Sequence, residues 1–137
     1  MKIEITDKHD KALFEALVDG VRQHRNAAHG PEEPRPLNVV AKDDNGQLIG
    51  GVSCRTVYQN LLVEVLWVDK AYRGTGLGRR LMEQAGQQAK SRGCLQAQVD
   101  TLSFQAPDFY QKLGFEVVGI VPSVAGNPER YFLVKPF

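Results

Sequence analysis

The sequence predicts an α/β fold: a mixed, mostly antiparallel central sheet with helices on both faces. Three observations predict it. Short apolar runs of strand character alternate with segments of helical periodicity. Asp43-Asp44-Asn45-Gly46 separates two of those runs with hairpin chemistry, because Asn-Gly tolerates the positive φ of a tight turn. A glycine-rich turn then joins a strand to a helix and a further strand, so Leu61 to Val99 reads as a right-handed parallel crossover.

Lys2 to Ile5 alternates polar and apolar residues as an opening strand would, and Thr6 and Asp7 are candidate caps for the helix that follows. Leu13, Phe14, Leu17, Val18 and Val21 fall on one helical face, and helical order is expected to fade from His24 to Gly30. Pro31, Pro34 and Pro36 remove donors and fix φ, which predicts a surface loop. Leu37 to Ala41 and Leu48 to Cys54 read as hairpin strands. Leu61 to Val68 is almost continuously apolar, as a central strand covered on both faces would be, with Glu64 its only charge. A helix follows from Leu77 to Arg92, where Leu77, Leu81, Ala85 and Ala89 lie four apart and Gly93 ends the run. Then come a strand at Leu95 to Val99, a short helix at Ala106 to Leu113, and strands at Phe115 to Val121 and Arg130 to Val134.

The 137 residues suit a single domain, 1–137, able to bury its own core. Hydrophobic residues make up 42% and charged residues 24%, which indicates a soluble globular chain. No apolar run approaches the roughly 20 residues that span a bilayer. Met1 to Asp10 lacks an apolar signal core, so a cytoplasmic location is expected. Cys54 and Cys94 match neither a disulfide framework nor a metal cluster and are expected as buried thiols. No His/Cys/carboxylate group has metal-ligand spacing. A net charge of +1 gives no general attraction to nucleic acid or membrane, so any anion site must be local.

The candidate for such a site is Arg73-Gly74-Thr75-Gly76-Leu77-Gly78-Arg79, whose other reading is a tight strand-helix turn with solvated arginines. Three glycines let the backbone turn sharply and approach a ligand closely. Their N–H groups, with those of the first helical turn and its dipole, converge on one anionic position. Lys70, Arg73, Arg79 and Arg80 add positive charge, and a pyrophosphate fits this chemistry. The Gly-Lys-Ser/Thr ending of a P-loop is missing, and Gly-x-Gly-x-Gly is not the dinucleotide spacing.

Arg73, Gly76 and Gly78 match, in order and spacing, the Arg/Gln-x-x-Gly-x-Gly/Ala element of the GNAT superfamily of acyl-CoA-dependent N-acyltransferases, which this sequence resembles. Leu66 to Tyr72 resembles that family's strand-and-approach segment, and Phe109-Tyr110-Gln111-Lys112-Leu113-Gly114-Phe115 its aromatic-Tyr and Lys-Leu-Gly-Phe element, with Ala106 also fitting. The family usually carries Asn three residues before that alanine; Ser103 stands here, and its hydroxyl can replace part of the amide's contact with the pantetheine arm.

The resemblance implies acetyl-CoA as cosubstrate and an amine as acceptor. Leu66, Trp67 and Val68 would flank the acyl group. Arg73, Gly74, Thr75, Gly76, Leu77, Gly78 and Arg79 would hold the pyrophosphate, and Ser103, Ala106 and Tyr110 would lie along the arm. Tyr110 would protonate the departing thiolate. Glu64 is the candidate base, directly or through water. Alternation puts it on one face with Leu62, Leu66 and Val68, and a desolvated carboxylate there would have a raised pKa. Its other reading is a structural carboxylate paired with an arginine. His24 and His29 lie where the family walls its acceptor site, with a solvated loop position as their other reading, and Asp100 and Asp108 are candidates to attract a cationic amine or simply to start the adjacent helix. An acyl-CoA-binding sensor without catalysis is the alternative function, and a homodimer through the C-terminal strands is compatible with either.

Overall fold

The computed structural model describes all residues from Met1 to Phe137. They form two compact units, Met1–Glu33 and Pro34–Phe137. In the first, residues 1 to 10 form no strand, and one helix, α1, runs Lys11–His29. The sequence therefore misplaces both its opening strand and its cap. A lone stretch has no neighbour to complete a ladder, and Asp10, not Thr6 or Asp7, accepts the Leu13 N–H at 3.0 Å. The helix also runs on through His24 and His29. It stops where Gly30 takes φ 87° and its N–H bonds to the Asn26 carbonyl.

The second unit holds a six-stranded sheet in the order β1-β2-β3-β4-β6-β5. Its strands are β1 Arg35–Lys42, β2 Leu48–Val57, β3 Asn60–Val68, β4 Gln96–Leu102, β5 Glu116–Val121 and β6 Arg130–Pro136. Only β3 and β4 pair in parallel; the other contacts are antiparallel, as the predicted fold class requires. Helix α2, Leu77–Ser91, makes the β3-to-β4 crossover, and α3, Pro107–Lys112, links β4 to β5. No helix is long and apolar enough to cross a membrane.

The core lies between α2, α3 and one sheet face. Leu81, Met82, Ala85 and Ala89 of α2 pack with Val52, Cys54, Leu61, Val63, Ala97, Val99 and Leu133 of the strands. Residues alternate inward along β2 and β4, as the period-2 pleat dictates. Leu61 and Leu133 retain 1% of their exposure, so each contributes on the order of 2 kcal/mol by burial. Gly50 sets how closely α2 approaches the sheet: a β-carbon there would lie 3.1 Å from the Trp67 carbonyl oxygen and 3.2 Å from the Leu77 side chain. That close approach brings the start of α2 beside the end of β3.

Candidate active site

Two backbone irregularities build the site. The first is a separation of β3 from β4. These strands pair only at Asn60–Gln96, Leu61–Ala97 and Leu62–Gln98. Beyond that point each strand bonds only to its outer neighbour, and an opening separates them. The Asn60 side-chain oxygen closes the paired end by accepting from Gln96 at 2.7 Å and Gln98 at 3.0 Å. The second irregularity is a bulge between β2 and β3. Val52 faces Leu66 and Cys54 faces Val63, so β3 carries one residue too many.

The bulge corrects the expected placement of Glu64. Leu66 and Val68 turn to the helix-covered face and pack against the core, whereas Glu64 does not share that face with them. The Glu64 side chain is 51% exposed and lies 3.4 Å from Arg55 Nε. The desolvation foreseen for it is absent, and an arginine partner is present. Glu64 and Arg55 line a groove of about 450 Å³ with Leu62, Gln98, Asp100 and Phe132, across the β3–β4 opening. Asp100 pairs with Arg130 Nη1 at 3.0 Å.

The glycine-rich turn stands at the far end of β3. Asp69 accepts the Ala71 N–H and starts a 3₁₀ turn over Lys70–Tyr72. Arg73 donates from Nε to the Val68 carbonyl at 3.1 Å, and Thr75 from its hydroxyl to the Tyr72 carbonyl. Gly74 and Gly76 take φ 77° and 84°, the left-handed region that side chains disfavour. Gly76 is the N-cap of α2 and offers no side-chain acceptor. The N–H groups of Leu77, Gly78 and Arg79 therefore have no carbonyl partner and stand ready for an anion. Arg79 and Arg80 are exposed beside them. These donors fit the diphosphate of an acyl-CoA.

Gly78 does something the sequence did not reveal. A β-carbon there would stand 3.3 Å from the Phe109 ring, so this glycine also admits the aromatic residue of the second motif. The two motifs are packed on each other. Phe109 meets Tyr110 edge-on at 5.2 Å, and Tyr110 meets Phe115 edge-on at 5.5 Å. Tyr110 is 5% exposed. Burial pushes its phenol up to about 12, with the neighbouring acidic groups of Cys54 and Asp100 adding to the effect. It is therefore a protonated donor throughout the neutral range.

Ser103 follows β4 in an exposed turn, with its N–H bonded to the Glu129 carbonyl, and half-buried Ala106 caps α3. Trp67 is exposed, and Leu66 and Val68 are half-buried along the opening. Asp108 lies in the first turn of α3, and His24 and His29 belong to α1 in the other unit. Sequence reasoning missed Arg55, Asn60 and Arg130. Their only signal was a strand register that one sequence does not define.

Both thiols are free and buried, as expected. Burial, with the Glu64 charge adding, pushes Cys54 up to about 12, and burial raises Cys94. A thiol whose folded pKa is raised favours the folded state fully below about 9, the unperturbed value, and that contribution is lost as pH climbs towards 12. Tyr110 acts with the same sign from about 10 to about 12. Denaturant midpoints should fall through this window, and less steeply in Cys54→Ala; equal slopes in the two proteins would contradict the burial-driven shift.

Comparison with known proteins identifies the family to which this fold belongs. The model of the acetyltransferase (GNAT) family matches residues 5–115. A blasticidin-S acetyltransferase of Streptomyces morookaense is 40% identical over 107 residues, 75% of this chain and 79% of that protein. A crystal structure of an acetyltransferase from Agrobacterium tumefaciens superposes with a TM-score of 0.93 at 28% identity, covering 100% of both chains. A streptothricin acetyltransferase structure from Bacillus anthracis, in complex with acetyl coenzyme A, gives a TM-score of 0.68 at 27% identity over 77% of this chain and 64% of that one. The chain belongs to the acetyltransferase (GNAT) family and is an acyl-CoA-dependent acetyltransferase.

Proposed function

We propose that the protein transfers the acetyl group of acetyl-CoA to a primary amine of a small molecule, by direct attack in a ternary complex. The single observation that carries this reading is the separation of β3 from β4 next to the free N–H groups at the start of α2. A diphosphate held at the turn leaves an extended arm that can lie along the β3 edge. The acyl carbon then sits within the opening, with backbone N–H groups of Leu66 to Val68 as candidate donors to its oxygen. The relatives named for blasticidin-S and streptothricin support a small-molecule acceptor.

The chain's own residues divide the remaining work. An amine of pKa near 10.4 costs roughly 4 to 5 kcal/mol to deprotonate at neutral pH. Glu64, half-exposed at the mouth of the opening, takes that proton directly or through water. Tyr110 gives a proton to the departing thiolate and regains one from the nitrogen of the tetrahedral adduct, directly or through water, so that the N-acetylated amine, CoA thiol and protonated Glu64 are formed with protons balanced. Neither cysteine suits a covalent acyl relay, because both are buried and their thiols resist ionisation.

Initial-velocity patterns test this order of events. Lines for varied amine at several acetyl-CoA concentrations should intersect. Parallel lines would indicate an acyl-enzyme and overturn direct attack.

A further inference from the structure

The groove beside the opening carries charges that acetyl transfer alone does not require. Across the sheet they run Arg55 on β2, Glu64 on β3, Asp100 on β4 and Arg130 on β6. Glu64 and Asp100 each stand two residues past the last β3–β4 pair, Leu62–Gln98, so they flank the mouth from opposite sides. Each carboxylate is held from its outer side by an arginine.

These pairs are incomplete in a particular way. Arg55 approaches Glu64 from Nε, at 3.4 Å, and neither terminal nitrogen donates a hydrogen bond to the protein. Arg130 reaches one oxygen of Asp100, and the other is uncommitted. Arg55 and Asp100 line the same groove, over a floor that includes Leu62, Val118, Phe132 and Val134. An acceptor with positive charge alone would meet the free end of Arg55 as repulsion. The planar fork of a guanidinium instead matches a carboxylate.

We propose that the acceptor is a zwitterion, an amine whose own molecule carries a carboxylate, with Arg55 taking the carboxylate and the Glu64–Asp100 mouth taking the amine. This rests on the acetyl-transfer reading above and specifies its substrate class. The amine lies between β3 and β4 and the carboxylate one strand further out. Strands are about 4.8 Å apart, so the two groups should be separated by roughly 3 to 7 Å.

The test compares glycine, β-alanine, 4-aminobutyrate and lysine with their carboxamides as acceptors, with acetyl-CoA binding measured calorimetrically in parallel. At least one free acid should exceed its carboxamide in kcat/KM by roughly tenfold or more, the scale of one charged hydrogen-bonded contact. Arg55→Gln should erase the acid's advantage over its carboxamide when both are measured in the same variant, any loss through the Glu64 pairing being common to both acceptors, with Arg55→Lys retaining part of the preference. A merely structural Arg55 would change both acceptors alike. Equal use of acids and carboxamides, or a preference that survives in Arg55→Gln, overturns the zwitterion class and leaves acetyl transfer standing. Acetyl-CoA binding with no transfer to either series also overturns it. Absence of binding overturns the acetyl-transfer reading itself.

Discussion

Gly76→Asp is expected to abolish measurable acetyl-CoA binding while leaving the fold intact. The two halves of that expectation have separate causes. A β-carbon at residue 76 meets nothing within 4 Å, so no atom of the protein need move. The left-handed φ of 84° costs a non-glycine residue on the order of 1 kcal/mol, which a folded domain can absorb. The added carboxylate, however, stands at the start of α2, among the N–H groups that would receive a diphosphate. Two like charges 4 Å apart repel by about 1 kcal/mol in water and about 4 at an effective dielectric of 20. A diphosphate presents more than one charge, so affinity should fall roughly a hundredfold or more. Gly76→Asn separates charge from conformation, since asparagine tolerates the left-handed region. It should bind acetyl-CoA much better than the aspartate variant in a calorimetric titration. Wild-type affinity in Gly76→Asp would sink the assignment of this turn to the cofactor.

The turn is legible because its backbone conformation calls for glycines, and glycines are visible in the sequence. Gly74 and Gly76 do adopt the positive φ that their identity suggests. Gly78 was read in the same way for a different reason, and the sequence could not show Phe109 against it. The strands of the second unit were equally legible, because their apolar alternation is a local signal. The N-terminal segment was not: Lys2 to Ile5 has the alternation of a strand, but strand formation depends on a partner, and propensity alone does not supply one.

Glu64 marks the boundary of what periodicity can deliver. Counting by twos from Leu62 puts it with Leu66 and Val68. One bulge opposite Ser53 and Cys54 reverses the count for the rest of the strand. The same bulge brings Arg55 within 3.4 Å of Glu64 and leaves the carboxylate in a polar groove. Asp100 and Arg130 are thirty residues apart in sequence and meet only through the β4–β6 ladder. Residues joined by register are invisible to a single sequence, and the groove across the β3–β4 opening is lined largely by them.

Tyr110→Phe is expected to lower kcat by about a hundredfold or more while acetyl-CoA affinity stays within a few-fold of wild type. The ring supports packing through its edge contacts with Phe109 and Phe115, and phenylalanine preserves those. Only the hydroxyl is lost, and with it the proton for the departing thiolate. The pH dependence separates this role from a structural one. With its phenol pushed up to about 12, Tyr110 stays protonated across the accessible range, so its ionisation should produce no basic limb in kcat below about pH 11. The variant should therefore be slow at every neutral and mildly basic pH, with the shape of its profile retained. A wild-type rate in Tyr110→Phe would mean that water protonates the leaving group. A basic limb near pH 9 that vanished with the hydroxyl would mean that Tyr110 ionises in the working enzyme and acts as a base.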